Sequence, residues 1–158
     1  MTKLARKGEA FQHGGMSPSR LIPLLLLALP AFAQTTVTEE EATGLTPFQV
    51  GAVQSSSASF KDKLIKLTFL CRGAVVTDLP DGGKAGEVLD STTTRQKMDV
   101  EVPKAGVDWF MGIPTTYGGG PAITAYARMT TDKFGTPVAK ILGTEIKKDA
   151  GGTHVVWK

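Results

Sequence analysis

The chain has 158 residues, 41% of them hydrophobic and 21% charged, with 18 Gly, 9 Pro and few aromatics. That length fits one domain, and that balance excludes a disordered chain, a coiled coil and a collagen. The formal charge of +3 suggests a nucleic-acid binder until its distribution is followed along the chain.

Residues 21–33 form a short apolar run after Arg20 and end in Ala31-Phe32-Ala33. The run is too short to span a bilayer. A basic flank, an apolar core and a small-residue site together predict a secretory signal peptide over residues 1–33, cleaved before Gln34. Met16 would give it an ordinary length, so Met16 is a second candidate start. Secreted or periplasmic localisation follows as an expectation. Of 18 Lys and Arg, four (Lys3, Arg6, Lys7, Arg20) precede Gln34, as does one (Glu9) of 15 acids, which leaves 14 of each and a net charge of zero. A neutral domain lacks the basic excess that drives phosphate binding.

Cys71 is the only Cys, and His154 is the only His after Gln34. No internal disulfide and no three- or four-ligand Cys/His metal site can be built from them. No metal and no cofactor is expected. Phosphate loops, dinucleotide fingerprints and nucleophile elbows are absent, and no EF-hand spacing surrounds Asp78 and Asp81.

Residues 34–57, with Glu39, Glu40 and Glu41, read as a linker, with a short helix beginning near Pro47 and ending near Val53. The run 64–72 alternates with Ile65, Leu67, Phe69 and Cys71 on one face, which predicts a half-buried strand. Leu64 and Leu70 are apolar exceptions on its polar face. Gly73 marks a bulge or bend before Ala74–Thr77 resume the strand. Cys71 reads as a small core residue. Residues 78–84 form a turn and 87–90 a short strand. In 97–102, Met98, Val100 and Val102 face inward, and Lys97, Asp99 and Glu101 outward. Val107, Phe110 and Met111 share one helical face, which predicts a short helix over 104–112. Strands follow over 122–131 and 136–146, the latter broken at Gly143, with a hairpin turn at 132–135. Residues 149–158 read as a tail with a short terminal strand.

This order predicts an all-β fold with one or two short helices. The run Phe60-Lys-Asp-Lys-Leu-Ile-Lys-Leu67, then Ile123-Thr-Ala-Tyr-Ala-Arg-Met129, Gly135-Thr-Pro-Val138 and Leu142-Gly-Thr-Glu-Ile146, resembles the opening strand and final hairpin of the tRNA-anticodon-like OB modules of bacterial envelope proteins. The resemblance covers residues 58–148 and implies a five-stranded Greek-key barrel; a small β-sandwich shares the strand spacing. It also implies binding on the face of the second and third barrel strands and on the neighbouring loops.

The residues that such binding would use are Lys84, Lys97, Asp99, Glu101, Tyr126, Arg128, Lys133 and Phe134. For Phe134, plugging the barrel end is the simpler expectation, and an exposed contact the alternative. The 97–102 face has alternating charge and no aromatic platform, which disfavours nucleic acid. The functional expectation is therefore a non-catalytic binding module for a protein, peptide or small molecule. A single-stranded nucleic-acid-binding OB domain is the alternative, and a small hydrolase resting on His154 the weaker one.

Overall fold

The structure, a computed structural model, describes residues 34–115 and 120–158. The expected leader and the Tyr117–Gly119 part of the glycine cluster lie outside the described residues.

The first long strand, β3 (Leu64–Asp78), forms where the alternation predicts it, and Ile65, Leu67, Phe69 and Cys71 all point into the core. It pairs antiparallel with β6 (Ile123–Thr131) and with β4 (Lys84–Leu89). β4 pairs with β5 (Lys97–Val102), β5 runs parallel to β7 (Pro137–Gly143), and β7 returns antiparallel to β6. The circuit β3-β4-β5-β7-β6-β3 closes a five-stranded, OB-like barrel.

One strand serves two neighbours because it bends. Between the pairs Cys71↔Val88 and Val76↔Gly86, β3 advances five residues while β4 advances two. The bend carries Gly73, as expected of a glycine inside a strand pattern. The interior is filled by side chains, with Leu67, Phe69, Val88, Val100, Val102, Ala125, Ala127 and Ile141 fully buried.

The two barrel ends are plugged differently. Where β5 begins, β2 (Pro47–Gln49) adds in parallel to β3, and α2 (Val50–Ser55) and α3 (Ser57–Phe60) cover the opening. Val50 and Val53 are fully buried there, and the Phe48 and Phe60 rings meet edge to face at 4.9 Å. Where β5 ends, a 3-10 turn (Lys104–Gly106) leads into α4 (Val107–Gly112). Phe110 and Ile113 are buried, and the Trp109 ring packs 5.3 Å from Trp157. Gly106 makes this possible, because a Cβ there would sit 2.3 Å from the Trp157 ring. Met111 departs from the expected stripe and is 56% exposed. The helix ends one residue later, so it buries only the side that carries Phe110.

A second sheet, β1-β9-β8, lies outside the barrel, built from β1 (Thr35–Val37), β8 (Glu145–Asp149) and β9 (Gly152–Val156). Val37, Val155 and barrel residue Leu64 form its core, with Tyr126, Leu142 and Ile146 packed around them. The expected 34–57 linker is thus β1, β2, α2 and a four-residue helix, α1 (Glu39–Ala42). Thr38 and Glu41 cap α1 reciprocally: Thr38 Oγ1 accepts from the Glu41 amide at 3.1 Å, and Glu41 Oε2 accepts from the Thr38 amide at 3.0 Å. The expected 136–146 strand divides at Gly143 between the two sheets, and the expected tail supplies β9. Elements of three or four residues are too short to show a hydrophobic period. Residues 34–158 hold the closed barrel, both end plugs and the second sheet, which makes them a folding unit.

Candidate functional site

The outer face of β4 and β5 is charged and paired. Glu87 Oε1 meets Arg72 Nη1 at 2.7 Å, and its Oε2 meets Lys97 Nζ at 2.7 Å. The Lys97 hydrogen bond, reinforced by Arg72, holds the Glu87 carboxyl below the usual carboxylate range. Asp99 is exposed opposite Glu87, and Glu101 lies 3.5 Å from Lys140. Acids and bases balance along this face, and the outward residues of both strands include no aromatic. It offers no ring for a base to stack on.

Three other expected site residues have structural tasks. Tyr126 packs into the core of the second sheet, with Lys66 Nζ 5.8 Å from its ring centroid. Arg128 Nη1 donates to Glu41 Oε1 at 3.1 Å and to the Asp62 carbonyl at 2.8 Å, which fastens α1 and the chain before β3 to the barrel. Both lie on the polar side of β6, as expected, but the second sheet and α1 cover that side. Lys84 pairs with Asp78 across the β3–β4 turn. It stands opposite Val102, at the end of β5, whereas the β6–β7 turn lies level with the start of β5. The 78–84 and 132–135 turns are therefore at opposite ends of that strand.

Lys133 and Phe134 remain. Phe134 is 80% exposed, so it does not plug the barrel. The plug position beside it is already filled by Phe48, Phe60, Val50 and Val53. The turn that carries it is tightly made. Asp132 Oδ1 accepts from the amides of Phe134 and Thr136, both at 2.8 Å, and the Asp132 amide donates to the Thr136 carbonyl at 2.9 Å. Gly135 completes the turn with φ +84°, a conformation that favours glycine. Lys133 Nζ lies 4.9 Å from the Phe134 ring centroid.

The topology gathers further cations at this end. Lys61 bridges Met129 near the end of β6, and the Lys63 carbonyl accepts from the Met129 amide at 3.2 Å. Arg95 and Lys97 sit at the start of β5, which runs parallel to β7 and begins level with Thr136. Lys61, Lys63, Arg95, Lys97 and Lys133 are all exposed. Lys97 is paired with Glu87, and the other acids of these segments are Asp62, Asp132, whose carboxylate accepts from turn amides, and the buried Asp90, so the cations outnumber the acids by a small margin. This local excess is invisible in a whole-chain sum, because it joins residues 32 to 72 positions apart, from Lys61 and Lys63 to Arg95, Lys97 and Lys133. Summing charge by barrel end, after the strand order is fixed, would have found it.

Asp90 is the residue that sequence reasoning missed. Burial alone would push its carboxyl up. The Thr92 hydroxyl and the amides of Gly51, Thr92 and Thr93 outweigh that effect and hold it below the usual range. Its Oδ2 accepts from the Gly51 amide at 2.8 Å and so ties α2 to the β4–β5 loop.

The other candidate chemistry is inert or structural. Burial pushes the Cys71 thiol up to about 11, far from the depressed values of reactive thiols. His154 lies between Thr36 Oγ1 at 3.3 Å and Asp149 Oδ1 at 3.4 Å. Thr36 is its cross-strand partner in β1, and Asp149 also accepts from the Gly151 amide at 2.7 Å, so this chain of contacts secures the second sheet. Among the described residues, no group of three His, Cys, Asp or Glu side chains could hold a metal ion. A groove of about 130 Å³ lies between Leu79, Val102, Pro103, Ile141 and Leu142, rimmed by Asp81, Glu101 and Lys140. Pockets for small molecules are several times larger.

No family model matches the chain, and no curated protein matches it. Among solved structures, the chain is similar to a protein described as an aspartyl-tRNA synthetase from Leishmania major Friedlin, at 12% identity and a TM-score of 0.45. The match covers 80% of this chain and 24% of that one, so the chain spans about a quarter of that protein. Likeness at this level carries no information about the ligand, and what the site can do is read from its own residues: an OB-like barrel with a filled interior, a charge-paired face, and one end that presents an uncovered ring among cations.

Proposed function

We propose that the chain is a binding module without catalytic activity, exported from the cytoplasm by its leader, which meets its ligand at the barrel end around Phe134. The observation that carries this reading is a large apolar ring, 80% exposed, held on a turn fixed by hydrogen bonds. A fixed exposed ring enters a contact without the ordering cost that a flexible loop would add. The experiment is amide chemical-shift mapping of residues 34–158 during titration with a ligand panel. Shifts gathered in residues 91–97 and 132–136 support the reading. Shifts centred on the groove or on His154 overturn it.

A second reading is favoured by Lys61, Lys63, Arg95 and Lys133 at the same end: single-stranded nucleic acid, the alternative expected of an OB barrel. A salt titration with single-stranded DNA and RNA tests it. Saturable binding that falls steeply with salt and with Arg95→Glu supports it. Absence of binding at low salt removes it.

A further inference from the structure

Phe134 has no polar atom on its ring, unlike Tyr or Trp, and stands at the outermost position of its turn. The residues beside it at the strand ends are Thr130, Thr131, Thr136 and Pro137, so its own hairpin carries no second ring. Single-stranded nucleic acid is held by successive bases stacked on successive aromatics, and one isolated ring on a turn does not make such a platform. An exposed apolar ring with Lys133 beside it and further Lys and Arg at the same barrel end has the make-up of a contact with a charged bilayer surface. There the ring enters the headgroup boundary while the cations stay at the level of the phosphates. The Lys133 ammonium, 4.9 Å from the ring centroid, is placed to reach a phosphate once the ring is inserted.

We propose that the Phe134 end docks on an anionic lipid surface. This rests on the reading of the chain as a binding module and names its partner class. The turn acts as a wedge, with Asp132 holding its shape from within through two amide hydrogen bonds. Arg95, Lys61 and Lys63 lie on segments at the same barrel end and supply the charge complementarity, while Lys97 is held by Glu87. Each cation near such a surface contributes roughly a fivefold gain in partitioning, so a modest local excess suffices here, whereas tracking a nucleic-acid backbone requires a longer basic groove.

The test is co-sedimentation of residues 34–158 with vesicles of phosphatidylcholine containing about a third phosphatidylglycerol. Neutral phosphatidylcholine vesicles and a single-stranded DNA oligonucleotide run in parallel. The expected result is retention on anionic vesicles alone. It falls about tenfold in Phe134→Ser and roughly fivefold in Lys133→Gln, and it is largely lost at about 1 M salt. Equal retention of Phe134→Ser and wild type, or equal retention on neutral vesicles, overturns the inference. If vesicles fail and DNA shifts the amides of residues 132–136, the lipid partner is wrong and the binding-module reading stands. If neither vesicles nor DNA nor any other member of the ligand panel perturbs that end, both readings fall. Unchanged thermal melting of Phe134→Ser shows that its loss of binding is not a loss of fold.

Discussion

The two ends of the barrel solve the same problem with different materials. Beyond the end of β5 the plug is apolar: Phe110 and Ile113 are buried, and Trp109 and Trp157 lock the helix to the C-terminal segment across the space left by Gly106. At the start of β5 an apolar plug is also present, but it is latched by a buried carboxylate. Asp90 accepts from α2 and from its own loop, and so joins two segments 39 residues apart. An apolar plug tolerates a change of pH, and a carboxylate latch does not. The latched end is also the one that carries the exposed Phe134 turn.

Asp90→Ala should have the largest effect. It strands the Gly51 amide in the interior and removes the organiser of the β4–β5 loop, at a cost of about 2–4 kcal/mol. Urea unfolding reads this directly, and a change below about 0.5 kcal/mol would mean the latch is idle. The same carboxyl has a folded pKa below its unfolded value of about 3.9. Its contribution is therefore complete above that value and lost as pH falls through the lower, folded one. Glu41 and Glu87 titrate in the same direction, so the informative quantity is the difference in acid sensitivity between wild type and Asp90→Asn.

Gly106→Val tests the opposite end. The added side chain collides with the Trp157 ring and should cost about 2–3 kcal/mol, with a change in Trp fluorescence that Asp90→Ala lacks. Glu87→Gln, on the exposed face between the ends, should cost less than about 1 kcal/mol, as surface ion pairs do. Phe134→Ser should be smallest, within about 0.5 kcal/mol in melting experiments, since the ring touches little of the fold. A large loss there would mean that Phe134 is part of the core in solution.

The barrel strands were legible because each is long enough to alternate. In β5, Met98, Val100 and Val102 face inward as read from the sequence. The second sheet was harder to read: the expected terminal strand is β9, but its partner β1 has only three residues and shows no period. One trace of it was present. Leu64 breaks the alternation of its strand, and it does so because its outer side is covered by Val37 and Val155. The site was less legible than the fold. Tyr126 and Arg128 lie on the polar strand face where the sequence puts them, and the second sheet and α1 cover that face. Phe134 looks like a plug until Phe48 and Phe60 are found in its place. Asp90 reads as the last residue of a short strand, and only the return of α2 to the β4–β5 loop makes it buried.

The β1–β9 ladder pairs Thr35 with Val155 and Val37 with Thr153, so the chain enters and leaves the folded unit side by side. A load applied between those two points would separate the strands one rung at a time, as a zipper opens, and would not shear them. The first event under tension should therefore be a low-force release of β1, with the barrel still closed, followed by a second rupture at higher force. Optical-tweezer extension traces would show two steps for this arrangement and a single step if the ladder and the barrel fail together.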